Sequence, residues 1–162
     1  MSGDESSSSE NGSSEDSFFA GVEVGDSRVT EARTITEADV TNFAGVSGDF
    51  NHIHTDAERM KESPFGERIA HGALVFSVAT GLLWRSRSEE EREAVVAFYG
   101  IDHLRFVSPV FIGDTVHVEM EVVETEPTPD HPTAGGTVRY DVDIVNQDDE
   151  TVISAEFISL LE

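Results

Sequence analysis

Four side chains able to hold or move protons fall within the run Ser47-Gly48-Asp49-Phe50-Asn51-His52-Ile53-His54: Asp49, Asn51, His52 and His54. A carboxylate and an imidazole facing one water form an acid/base pair. One takes a proton from the water, and the other delivers a proton to carbon or to a leaving hydroxide. Asn51, between Asp49 and His54, can hold that water or orient a carboxylate.

The same residue types admit two other readings. His52-x-His54 with Asp49 is a facial metal set if the run is a strand, because alternate residues project to one side. Flanking glycine and loop formers, and the lack of a further Cys/His cluster, weigh against it, so no metal and no other cofactor are expected. The plainer alternative is an Asx-turn at Asp49 with both histidines in solvent.

A second stretch complements the first. From Ile69 to about Arg85 apolar residues occur on nearly every side of a helical wheel, the mark of a buried helix. It opens on His71-Gly72. The first N–H groups of a helix lack internal partners and carry the positive dipole end, so an oxygen gaining negative charge is stabilised there. Gly72 allows a ligand to approach closely; alone, it reads equally as a packing glycine.

The elements that must position these groups can be read around them. Arg28 to Thr34 reads as a strand after a Gly25-Asp26 turn. Thr36 is placed to cap a helix with Asp39 as its capping-box partner, and Ile35 and Val40 have hydrophobic-staple spacing. Gly45 and Gly48 are expected to stop that helix, leaving Asp49 to His54 on a loop. Residues 55–62 read as a short helix or turn, 63–66 as a loop, and 85–93 as the surface end of the buried helix. From Val95 onward the pattern has period two: Val116, Val118, Met120, Val122; then Val138, Tyr140, Val142, Ile144; then Ile153, Ala155, Phe157, Ser159. Consecutive antiparallel strands after one buried helix predict a single α+β domain, a sheet wrapped on that helix. Its open edges predict a homodimer.

Composition narrows the function. The chain has 162 residues, with 33 acids against 10 bases and a formal charge of −23. Such a surface repels nucleic acid and anionic membranes, so neither is an expected partner. Lys61 is the only lysine. Excess acid with almost no lysine is associated with salt-loving organisms; at molar salt the screening length is about 3 Å, which relieves the self-repulsion. The absence of cysteine removes disulfides, thiol nucleophiles and Cys-ligated zinc. No run is long enough to span a bilayer, the N-terminus has no signal-peptide pattern, and the expected location is the cytoplasm. Residues 1–17, rich in serine and acid, are expected to be a disordered tail, with the folded domain over 18–162.

Three segments together resemble the MaoC-like, (R)-specific enoyl-CoA hydratase family, whose members have the hot-dog fold. They are Ser47 to His54, then Pro64-Phe65-Gly66-Glu67-Arg68-Ile69-Ala70-His71-Gly72 with its apolar helix, then Arg105-Phe106-Val107-Ser108-Pro109-Val110-Phe111-Ile112-Gly113-Asp114-Thr115. The resemblance covers essentially residues 20–162. It implies that Asp49 and His54 are the catalytic pair, Asn51 the polar residue between them, and Gly72 the N–H that receives a thioester oxygen. It places Ser77 near the pair. It further implies a homodimer, no metal, and acyl groups carried on coenzyme A. The family commonly has proline where this chain has His52. Arg59, Lys61, Arg68, Arg85 and Arg87 could dock the anionic carrier, or be scattered surface charge. The expected activity is reversible hydration of trans-2-enoyl-CoA to (R)-3-hydroxyacyl-CoA. The rivals are an acyl-CoA thioesterase of the same fold and a non-catalytic acyl-CoA-binding or regulatory subunit.

Overall fold

Thr36 begins the part of the fold that carries the site. In the computed structural model, which describes residues 17–162, its hydroxyl accepts the N–H of Asp39 while Asp39 accepts the N–H of Thr36, closing the capping box of α1 (Glu37–Ser47). Ile35 before the cap and Val40 after it are both buried in the core, as a staple requires. The helix runs through Gly45 and ends at Gly48, whose φ of 75° is the left-handed cap conformation. Gly45 is therefore no stop signal: an exposed interior glycine weakens a helix without breaking it. Beyond Gly48 the chain forms two short helices, α2 (His52–Thr55) and α3 (Ala57–Met60), so His52 and His54 lie on a helix rather than on a loop.

The central helix α4 spans Gly72–Ser86. Ile69 precedes it as an isolated bridge to Phe111. Leu74, Val75, Val78, Ala79, Leu82 and Leu83 are buried, but Ala73, Ser77, Gly81 and Trp84 form an exposed stripe. The helix is thus amphipathic, not apolar all round; small residues on the outer stripe hide this in the sequence. After it comes α5 (Glu89–Ala94), which was not expected, headed by a Ser88/Glu91 capping box.

The strands are β1 (Ser27–Val29), β2 (Arg33–Thr34), β3 (Val95–Phe106), β4 (Thr115–Pro127), β5 (Gly136–Val145) and β6 (Thr151–Leu161). They form an antiparallel sheet in the order β1-β4-β5-β6-β3, with β2 also on β4. The single strand expected at Arg28 to Thr34 is two, both paired to β4. Thr30 lies at the break, where its hydroxyl accepts the Val118 N–H in place of a backbone carbonyl. The alternating residues of β4, β5 and β6 meet α4 in one core cluster, with Val116, Val118, Val138 and Val152 fully buried. The fold is therefore α+β, an antiparallel sheet around a helix.

Phe18, Phe19 and Val22 pack against this core. The tail expected over residues 1–17 lies, apart from Ser17, outside the described residues. Among the described residues, no helix is long and apolar enough to cross a membrane.

Candidate active site

Two successive Asx turns aim the first stretch. Asp49 Oδ1 accepts the N–H of Asn51 at 3.2 Å, and Asn51 Oδ1 accepts the N–H of Ile53 at 3.1 Å, capping α2. The turn at Asp49 thus exists together with the acid/base arrangement, not instead of it. The histidines are not both in solvent: one turn of α2 carries His54 inward until it is 6% exposed.

Burial and one hydrogen bond define the state of His54. Its Nδ1 lies 2.7 Å from the Ile69 carbonyl. A carbonyl only accepts, so Nδ1 carries the proton and Nε2 presents a lone pair in the neutral ring. Burial pushes the His54 pKa below its ordinary value of 6.5, and the neighbouring His71 adds to that effect; the Ile69 carbonyl and Asp49 oppose it. His54 is therefore a neutral base at pH 7. Its Nε2 is 3.8 Å from Asp49 Oδ2. That is too far for a hydrogen bond, but the gap is one that a single water about 2.8 Å from each atom would bridge.

A pH dependence follows. The unfolded chain binds a proton at His54 near 6.5, whereas the folded chain binds it only at lower pH. The stability from keeping His54 neutral is thus fully present above that value, and is lost as pH falls from it through the lower folded value. Turnover is expected to be level from about pH 8 to 6.5 and to fall below the folded value as Nε2 is protonated. A pH–rate profile of kcat/KM with no acid limb would contradict this assignment.

His71 joins the pair, a role the residue types alone did not assign. It is 3% exposed. Its ring stacks on that of His54, with centroids 3.7 Å apart and planes 28° apart. Its Nε2 lies 3.0 Å from the carbonyl of Asp49 and donates to it. One side chain thus fixes both the Asp49 backbone and the His54 ring. Among the described residues, His71 Nδ1 has no hydrogen-bond partner.

The metal set read from His52-x-His54 is not assembled, because α2 turns His52 away from His54. Asp49, His54 and His71 do each have a potential ligand atom within 4.8 Å of the others. His54 Nδ1 and His71 Nε2 are committed to carbonyls, which leaves His54 Nε2, His71 Nδ1 and the Asp49 carboxylate as the donors still available.

A cavity of about 610 Å³ opens over the group, with Asp49, His54, His71 and Gly72 in its wall and Phe43, Phe65, Val75, Phe106 and Ile153 supplying apolar surface. Asn51 and Ser77 do not line it. Asn51 is exposed and its side-chain oxygen holds the α2 cap. Ser77 is on the exposed stripe of α4, its hydroxyl donating to the Ala73 carbonyl at 2.7 Å, over a shallow depression with Arg33, Gly81 and Arg85. The residues expected around one ligand therefore divide: Asp49, His54 and Gly72 meet, while Asn51 and Ser77 have structural hydrogen bonds elsewhere.

Gly72 needs to be glycine for a reason other than open approach. A Cβ there would lie 2.5 Å from Cε1 of Phe106. Because Phe106 is 59% exposed, its ring can swing away. Gly72→Ala is expected to lower stability by about 1 kcal/mol, the low end for overpacking. The double substitution Gly72→Ala/Phe106→Ala should remove the coupling; additive losses in denaturant unfolding would show that Phe106 is not the obstacle.

The basic residues do not form one docking patch. Lys61 pairs with Glu58 and Arg68 with Glu37, each at 2.6 Å. Arg85 and Arg87 lie at the far end of α4 from Gly72.

Comparison with known proteins agrees with this architecture. The family model for the MaoC like domain matches residues 20–143. The protein MaoC of Klebsiella aerogenes is 43% identical over 103 residues, which is 64% of this chain but 30% of that protein's length. The (R)-specific enoyl-CoA hydratase of Aeromonas caviae is 36% identical over 102 residues, covering 63% of this chain and 71% of that protein. Among solved structures, the monoamine oxidase regulatory protein of Archaeoglobus fulgidus superposes with a TM-score of 0.79 at 36% identity, covering 88% of this chain and 92% of that one.

Proposed function

The chain belongs to the MaoC-like domain family and has the hot-dog fold, and from that premise we propose that it adds water reversibly to trans-2-enoyl-CoA, giving (R)-3-hydroxyacyl-CoA. Relatives named 3-hydroxybutyryl-CoA dehydratase and (R)-specific enoyl-CoA hydratase support a hydro-lyase. The observation that carries the reading is the bare Nε2 of His54, 3.8 Å from Asp49 Oδ2 at the wall of the larger cavity.

The chemistry balances on this chain's own groups. A water held by Asp49 Oδ2 gives one proton to His54 Nε2 as its oxygen bonds to C3 of the enoyl group. The C2=C3 electron pair moves through C2 to the thioester oxygen. That oxygen lies beside the N-terminus of α4, where the Gly72 N–H heads the helix dipole. C2 then takes a proton from the pair, and the thioester stays intact. The dehydration direction runs the same steps backwards. His71 holds both members in place throughout.

Chiral chromatography of the product from crotonyl-CoA at molar KCl tests this: the (R)-3-hydroxy thioester is expected. Release of free thiol would instead favour the thioesterase. The Archaeoglobus relative is named a regulatory protein, which favours the second reading, an acyl-CoA-binding subunit without turnover. Tight acyl-CoA binding with no product would establish that one.

A homodimer is part of this proposal. β3 ends the sheet, and along it Val96, Phe98, Tyr99 and Ile101 are each at least 37% exposed. A long apolar edge of this kind is normally covered. Light scattering after gel filtration should give roughly twice the 17.7 kDa chain mass. A monomer at micromolar concentration would contradict it.

A further inference from the structure

A second cavity lies at the other end of α4 from His54. It has about 250 Å³ of space between the helix and the sheet, walled by Leu83, Trp84, Phe98, Met120 and Phe157. A third, of about 280 Å³, adjoins it. Arg87 and Tyr140 line both, and so stand where the two meet.

Both residues carry donors that no acceptor among the described residues answers. Arg28, nearby, is satisfied by Glu91 and by the Ser86 carbonyl. The Arg87 guanidinium makes no salt bridge and donates to no oxygen among the described residues; its carbon lies 5.9 Å from the centre of the Trp84 ring, and Glu91, which acts on it through space, is already bound to Arg28. Tyr140 is 8% exposed, and its hydroxyl has no partner among the described residues. Burial depresses the Arg87 pKa and raises that of Tyr140. A guanidinium nevertheless stays charged at neutral pH, and the phenol keeps its proton.

Two arginines, Arg28 and Arg87, share the one Glu91 carboxylate that pairs with Arg28, and a half-buried cation left without a bonded counter-ion is costly unless something supplies one. A guanidinium can only donate, and the phenol O–H is free to do so, so the missing group is an acceptor; the positive charge makes it an anion. The planar fork of arginine matches a carboxylate. The apolar walls select the rest of the ligand. At ~30 Å³ for each non-hydrogen atom, the cavity has room for about eight.

We propose that the Arg87–Tyr140 junction binds the carboxylate of a short apolar acid whose chain fills the cavity between α4 and the sheet. That chemistry has two sources: a free carboxylic acid, or the carboxyl end of an acyl group carried as a thioester.

Titration calorimetry of the full chain with hexanoate, hexanol and hexylamine, at constant ionic strength, tests the site without requiring turnover. Its failure is therefore distinct from failure of the hydratase reading. Hexanoate should bind at least about tenfold more tightly than hexanol, as expected for a charge-assisted hydrogen bond, and hexylamine should bind more weakly still. Arg87→Gln should remove that preference. Tyr140→Phe, which keeps the buried ring, should weaken hexanoate binding about threefold. Equal binding of hexanol and hexanoate, unchanged hexanoate binding by folded Arg87→Gln, or a Kd above about 10 mM for hexanoate would overturn the proposal.

The source follows from kinetics. If hexanoate raises the KM for an enoyl-CoA and Arg87→Gln relieves it, the cavity serves acyl chains that end in a carboxylate. If hexanoate binds and the KM stays unchanged, the ligand is a free acid.

Discussion

His54→Ala is expected to lower turnover of an enoyl-CoA by two to four orders of magnitude, the usual contribution of a positioned acid or base. That is about 3–5 kcal/mol of barrier. The loss follows from removing the nitrogen that faces Asp49 Oδ2 across 3.8 Å, the ring's other nitrogen being occupied by Ile69. The same substitution leaves the Ile69 carbonyl and the stacked face of His71 without partners, so it should also cost about 1–3 kcal/mol of stability. His54→Asn separates the two effects. Its amide N–H is placed to replace Nδ1 toward Ile69, but it offers no base. Circular dichroism should show it folded, and stopped-flow assays should show it as slow as His54→Ala. Turnover within tenfold of wild type in folded His54→Asn would remove His54 from the chemistry.

Asp49→Asn should produce a loss of similar size, by about 10²–10⁴, with almost no change in stability. The Asx turn survives, because an asparagine oxygen can accept the Asn51 N–H as Asp49 Oδ1 does. The Asp49 carbonyl still accepts from His71. What disappears is the carboxylate facing Nε2. Because Asp49 is half exposed, with a side chain 52% accessible, unfolding free energy should stay within about 0.5 kcal/mol of wild type. Denaturant unfolding with parallel kinetics checks both halves. Loss of activity accompanied by a loss of several kcal/mol would mean that Asp49 acts through the fold instead.

Much of this was legible in the chain itself, for local reasons. The Thr36/Asp39 box, the staple of Ile35 on Val40 and the period-two strands are short-range patterns, and each appears where its spacing places it. The Asp49/His54 pairing was equally local. The Ser88/Glu91 box of α5 had the same kind of signature and could have been read.

The remainder depends on contacts between distant segments. His71 reaches the carbonyl of Asp49 across 22 positions, and no spacing rule announces that. Its place immediately before a helix-opening glycine was the available hint. The roles implied for Asn51 and Ser77 depended on where side chains point. Asn51 is held by the cap of α2, which was not expected to begin so early, and Ser77 by the Ala73 carbonyl one turn back. The Arg28 to Thr34 segment was misread because a side-chain hydroxyl, that of Thr30, replaces a backbone acceptor in the ladder. The Arg87–Tyr140 junction was likewise invisible, since Tyr140 looked like one more inward-facing strand residue.

The most direct test is to run the reaction with crotonyl-CoA in water carrying heavy oxygen and to locate the label by mass spectrometry. Heavy oxygen on the C3 hydroxyl of an intact thioester, formed by wild type and not by Asp49→Asn, is the expected result. Label in a free carboxylate, or equal labelling of C3 by both proteins, would contradict water addition by the Asp49–His54 pair.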